Sequence, residues 1–276
     1  MSHNSANTTP VSLSFNSSEK NTNALNFPAG TFSPAPQPAR TQTMVIAQGK
    51  IESLLFLRHG EQLLLSFIIP IGMLIALAFL PLVEDPHPLQ KGLPLMLAIA
   101  AMSSGFTGQA ISLAFDRRYG ALKRSGASGV SRTTIVLGKI LGVLVVSILQ
   151  IILLSSCALL LGWHPHLIGL PVSVLCFFLG VCCFTSLGMA IGGALSSEIV
   201  LGISNLIWIL LVGVASFYLF RMSGSPSWLL QYIPSVALTQ GLVSSFDGHI
   251  PLTQIFMLLG WTGLGVASAV KWFKFD

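Results

Sequence analysis

An all-α integral membrane protein with six transmembrane helices is the fold class that three observations predict. Of the 276 residues 53% are hydrophobic and only 8% are charged, with a mean hydropathy of +0.78; a soluble domain carries charge on about a quarter of its residues. The apolar residues fall in runs of the length, roughly 20 residues, that a hydrocarbon core requires of a helix. Charge gathers between the runs. Six of the fourteen Lys and Arg lie in Phe115–Lys139, namely Arg117, Arg118, Lys123, Arg124, Arg132 and Lys139, against one acid, Asp116. A loop that basic between two spans stays on the cytoplasmic side and sets the topology. The same bias accounts for the net charge of +5, so no nucleic-acid partner is expected.

Taken in order, residues 1–43 are rich in Ser, Asn, Thr and Pro and lack an apolar core, the composition of a disordered tail, here cytoplasmic. They lack the charged start, short apolar stretch and small-residue cleavage site of a signal peptide. Residues 44–276 form the transmembrane domain. Its first piece, Met44–Gly60, interleaves Val45, Ile46, Ile51, Leu54, Leu55 and Leu57 with Gln48, Lys50, Glu52, Arg58 and His59. It is too polar to span and reads as a helix lying in the interface beside the first span, or as a helical extension of that span. Spans follow at about 62–83, 93–115, 133–161, 170–195, 199–220 and 251–270. Both termini are then cytoplasmic, and twelve of the fourteen basic residues fall inside, with Lys91 and Arg221 outside.

Within the spans the informative residues are few. Small residues at Ser103, Ser104, Gly105 and Gly108, at Gly138 and Gly142, and at Gly188, Gly192 and Gly193 predict close helix contacts. Gln109 and Asn205 are amides inside otherwise apolar stretches; each either bonds to a neighbouring helix or lines a substrate path. Lys139 is expected to snorkel to the cytoplasmic end. Cys157, Cys176, Cys182 and Cys183 all lie in apolar runs and read as packing residues. In the external turn GWHPHLIG, Trp163 is an expected interface anchor, while His164 and His166, without a Cys or carboxylate beside them, fall short of a metal site. Between Met222 and His249 the pieces WLLQYI and VALTQGLV are each too short to cross. They suit two short helices dipping into the membrane or an interfacial loop with an aromatic belt from Trp228 and Tyr232.

The chemistry that is missing narrows the function. No span carries a central ionisable residue, the mark of an ion-coupled carrier. There is no HExxH or Gly-x-Ser-x-Gly motif, so no enzyme is expected, and no GxxxxGK[ST] loop to cradle ATP phosphates. If the chain does work against a gradient, the energy must come from a partner.

The basic loop adds a more specific signal. Asp116 and Arg117 are followed by Gly120, Ala121 and Leu122, then by Ser128, Gly129, Val130, Ser131 and Arg132, and by Gly138 and Lys139 at the opening of the third span. In this order and at these offsets the chain resembles the ABC-2 (type-2 ATP-binding-cassette) permease family, of the daunorubicin-resistance exporter kind; Gly129 stands where that family's turn commonly has Pro. The resemblance implies an interface helix before the first span and re-entrant helices before the last. It also implies a coupling helix, over Gly120–Ser128, that docks on a separate ATPase subunit, where ATP and Mg would bind. The coupling loop would be carried by Asp116, Arg117, Gly120, Leu122, Arg124, Ser131 and Arg132, and the pathway by Gln109 and Asn205. The expected assembly pairs this permease with a second copy or a sister permease in the cell membrane, among lipids, as an exporter. A secondary carrier and a non-transporting membrane scaffold are the alternative functions.

Overall fold

A computed structural model describes residues 39–81, 86–221 and 229–272, and among these every regular element is a helix. In chain order they are α1 (Thr41–Arg58); α2, made of Gly60–Leu63, a π turn Leu64–Ile68 and Ile69–Phe79; and α3, made of Pro88–Ala101, a π turn Met102–Thr107 and Gly108–Arg118. After the short α4 (Ala121–Ala127) come α5 (Arg132–Leu160), α6 (Leu170–Ala194), α7 (Ser197–Arg221), α8 (Pro234–Phe246) and α9 (Leu252–Trp272). Five helices, α3, α5, α6, α7 and α9, are long and apolar enough to cross a membrane; the first expected span is represented by the shorter apolar stretch Ser66–Phe79 of α2.

The pillar of the bundle is α3. Its apolar window is 89% buried by the rest of the chain, against 17% for α7 and 11% for α9. It begins earlier than the expected Leu93, because Pro88 opens the helix at a position where a missing N–H costs nothing. Within its π turn, Ser103 Oγ meets Ser66 Oγ of the α2 π turn at 3.0 Å. At the entry to that turn the Ala100 carbonyl accepts from Ser104 Oγ (2.9 Å) and from Gln150 Nε2 of α5 (3.3 Å). Side chains of α3 and α5 thus both bond to the backbone where the helix widens.

The small residues act as the sequence predicts. A Cβ at Gly188 or Gly192 would run into the Phe106 or Ala110 carbonyl, so α6 lies backbone to backbone against α3. Gly138 and Gly142 receive α1 in the same way: a Cβ at Gly142 would stand 2.6 Å from Glu52 Cβ, and one at Gly138 would meet Gln48. The contacts step from Gln48 to Glu52 to Phe56 along Gly138, Gly142 and Val146, four residues at a time on both helices. α1 thus packs lengthwise and parallel on α5, with Phe56 also meeting Phe67 of α2. It is not a continuous extension of the first span, since His59 is extended and separates it from α2.

Two expectations at the opposite end also change. Trp163 is 2% exposed; its Nε1 donates to Gln90 Oε1 (3.0 Å), its ring meets Phe246 edge-on at 5.0 Å, and Gln90 Nε2 donates to the His164 carbonyl. It is a buried brace between α3 and α5. VALTQGLV does form a helix, α8, whose 13 residues reach about 20 Å, and it is packed among α3, α6, α7 and α9. WLLQYI yields only a 3₁₀ turn at Leu230–Tyr232; Trp228 lies outside the described residues, as do residues 1–38 of the expected tail. Cys176 and Cys183 are buried and all four cysteines are free thiols.

Candidate functional site

The charged residues of the expected loop converge at the end of the bundle where α3 stops and α5 starts. Three consecutive residues, Asp116, Arg117 and Arg118, fasten the end of α3 to three different helices. Asp116 Oδ2 pairs with Lys139 Nζ of α5 at 2.7 Å. Arg117 Nη1 donates to the carbonyls of Gly192 (3.1 Å), Gly193 (2.7 Å) and Leu195 (3.2 Å), which are the carbonyls a helix C-terminus leaves without intrahelical partners. A cation there also meets the negative end of the α6 dipole. Arg118 bonds to Ser197 Oγ (3.2 Å) and pairs with Glu198 at the first turn of α7. The residues that read as a topology signal are therefore also structural ties.

Lys139 departs furthest from its expected place. It does not snorkel: it is 1% exposed, seven residues into α5, or about 10 Å from the start of that helix. Its ammonium sits between Asp116 and Glu52 of α1 (2.8 Å) and donates to Ser112 Oγ (3.0 Å). Glu52 is held in turn by Gln48 Nε2 at 2.9 Å. Burial of a charge is tolerable only with partners of this kind. Sequence reasoning missed the cluster because Glu52 is 87 positions away from Lys139. The available signal was the match of the Gly138–Gly142 notch to Gln48–Gly49–Glu52, four residues apart on each side.

The loop itself is built to hold its shape. Gly120, at φ +68°, turns the chain out of α3. Leu122 is 3% exposed and packs with Leu113, Ile135 and Met189, so it anchors α4 to the bundle and does not face a partner. The helix ends in a Schellman motif: Gly129 N–H donates to the Gly126 carbonyl, Val130 N–H to the Ser125 carbonyl, and Gly129 sits at φ +81°. Val130 folds back onto the Leu122 cluster. Ser131 is the N-cap of α5, its Oγ accepting from Thr134 N–H at 3.2 Å. The Arg132 side chain lies outside the described atoms. What faces outward on α4 is Lys123 and Arg124, beside exposed Tyr119, with Arg124 Nη1 donating to the Tyr119 carbonyl (3.0 Å).

The two pathway candidates lie on different helices, and Gln109 is not on the face of α3 that meets α7. Gln109 is 5% exposed, and its Oε1 has no hydrogen-bond partner among the described residues. At i, i+3 and i+7 it aligns with Ser112 and Asp116, the stripe that meets Lys139. The seam between α3 and α7 is formed by Ala110, Ala114 and Val200, on the other side. Asn205 is half-buried on α7, next to the buried Ser204. Among the described residues no three His, Cys, Asp or Glu side chains are grouped as metal ligands.

Comparison with known proteins agrees with the fold. No curated protein matches the chain. Residues 89–269, well over half of the chain, match the family described as ABC-2 family transporter protein, and the match covers α4 with both helices it joins, while Glu52 lies before it. Five spanning-length helices, one of them the buried pillar α3, a loop locked to them at one end, and this match together make the chain a multi-pass membrane protein and a member of the ABC-2 transporter family.

Proposed function

We propose that the chain is the permease subunit of an ATP-driven exporter, and that a separate ATPase subunit grips it at α4. One observation carries the reading: a short helix with Lys123 and Arg124 facing outward, beside exposed Tyr119, is fixed at both ends to long helices, by Gly120 and the Asp116–Arg118 ties on one side and by the Schellman turn and the Ser131 cap on the other. A push on such a handle is delivered to α3 and α5 and is not absorbed by the loop. ATP and Mg²⁺ bind on the partner, and this chain supplies the path. Because α7 and α9 leave most of their apolar surface uncovered, a second copy or a sister permease packs there among lipids, with the path between the two chains. In this reading the basic end and both termini are cytoplasmic, the membrane is the plasma membrane, and the residues before α1 are a tail outside the transmembrane domain.

The test is to co-express the chain with a candidate ABC ATPase subunit, sought first as a Walker-motif gene next to this one, and compare wild type with Lys123→Glu/Arg124→Glu, two outward-facing changes. Co-purification and stimulated ATP hydrolysis should both fall at least tenfold, with insertion and thermal midpoint retained. Unchanged association would reject α4 as the docking element. A second reading has one observation in its favour, since a buried Lys with two acids is also how an ion-coupled carrier is furnished. Substrate flux driven by a proton gradient in vesicles without any ATPase would establish that reading instead.

A further inference from the structure

We propose that Lys139 is a positioning residue with two unequal arms: its pair with Glu52 holds α1 on α5 throughout the working cycle, and its pair with Asp116 is a latch that opens. The pull that opens it rests on the reading of α4 given above; the inequality of the arms rests on geometry alone.

One ammonium serves two carboxylates, so one of the two acids is in excess. The Glu52 side chain is 10% exposed, keeps a second bond from Gln48, and lies on a helix seated in the Gly138–Gly142 notch. Separating it from Lys139 would leave a charge stranded in a largely buried site. The Asp116 side chain is 34% exposed and stands four residues before the Gly120 turn. Separated from Lys139 it is hydrated, while Lys139 keeps Glu52, so no buried charge is left unpaired. Opening is cheap on the Asp116 side and costly on the Glu52 side.

The surrounding ties show what the latch joins. Arg117 and Arg118 bind the end of α3 to α6 and α7, whereas Lys139 belongs with α1. Further along α5, Gln150 bonds to Ala100 and Ser104 at the π turn of α3, 11 positions or about 16 Å from Lys139. α3 and α5 are thus pinned at mid-length and latched at one end. Release of Asp116, with loss of the Lys139–Ser112 bond and repacking of the Leu113–Leu122–Ile135 cluster, lets the α3–α6–α7 end swing from the α1–α5 end about the π turn, with α4 bridging the gap.

Hydrogen exchange on the full chain in lipid nanodiscs tests this, with thermal midpoints taken on the same samples. In Asp116→Ala, amides at 113–131 should exchange at least threefold faster while those at 41–58 keep the wild-type rate. In Glu52→Gln, amides at 41–58 should loosen and the midpoint should fall, and Lys139→Met should loosen both segments while Lys139→Arg restores them. If Glu52→Gln does not fold, the two segments of Asp116→Ala decide the matter alone. Equal loosening of both segments in Asp116→Ala, or of neither, would overturn the proposal. With the ATPase subunit bound, ATP should bring wild-type exchange at 113–131 to the Asp116→Ala rate without change at 41–58. Failure of the ATPase to associate would remove the functional reading, while the comparison on the chain alone would still judge the two arms.

Discussion

Replacing Gly129 by Pro is expected to open α4 while leaving the spans assembled. The reason is local. Gly129 sits at φ +81° and its N–H donates to the Gly126 carbonyl at 3.1 Å; proline fixes φ near −65° and has no N–H. A left-handed backbone costs an ordinary L-residue about 1–2 kcal/mol, and the Gly129 and Val130 bonds that close the Schellman turn contribute about 1 kcal/mol each. Loss of the whole arrangement costs about 3 kcal/mol, which raises the open population of the seven-residue helix about 100-fold. Lys123 and Arg124 lie within it, so trypsin should nick the variant in nanodiscs about 100 times faster, because cleavage follows the open population when reclosing is fast. Gly129→Ala keeps the N–H and bears only the backbone cost, so its nicking should rise roughly 5- to 30-fold. A proline variant nicked no faster than wild type would refute the role given to this turn.

Three further outcomes follow from other contacts. Gly142→Ala places a Cβ 2.6 Å from Glu52 Cβ; it should cost about 1–3 kcal/mol by overpacking, read as a lower denaturant midpoint, and should make Lys139 reactive to an amine reagent as α1 lifts. Arg117→Met removes the donor that serves three carbonyls at the end of α6; a loss of about 2–3 kcal/mol should appear as a lower thermal midpoint, with Arg117→Lys recovering part of it. Trp163→Phe keeps an aromatic ring against Phe246 but loses the bond to Gln90, about 1 kcal/mol, whereas Trp163→Ala should cost about 3–5 kcal/mol; equal midpoints for the two would show that Trp163 is not a buried brace.

Several elements were legible because local physics decides them. The α4 helix falls within the expected Gly120–Ser128, since glycines punctuate it at both ends and no neighbour is needed to place them. The long spans α5, α6, α7 and α9 start and stop within two residues of the expected bounds, because polar or turn-forming residues flank each apolar run. The seat of α1 on α5 was not legible because the helical pattern of Met44–Gly60 does not say which neighbour its small and polar face meets. Trp163 was misplaced for the same reason: an indole near a span end suits a lipid headgroup or a buried glutamine equally well, and only the position of Gln90 chooses.

By itself the sequence determined that the chain is helical and membrane-embedded, where most spans run, which end is basic, and that the loop between α3 and α5 follows the ABC-2 pattern. Apolar run length, charge asymmetry and turn chemistry are properties of neighbouring residues and need no partner in space. Only the tertiary structure decided what the charges of that loop do. Asp116, Arg117 and Arg118 reach α5, α6 and α7, Leu122 turns inward, and Lys139 is shared with Glu52. The energy of a charge depends on its burial and on the partners that surround it, and both are set by helix packing between residues far apart in the chain.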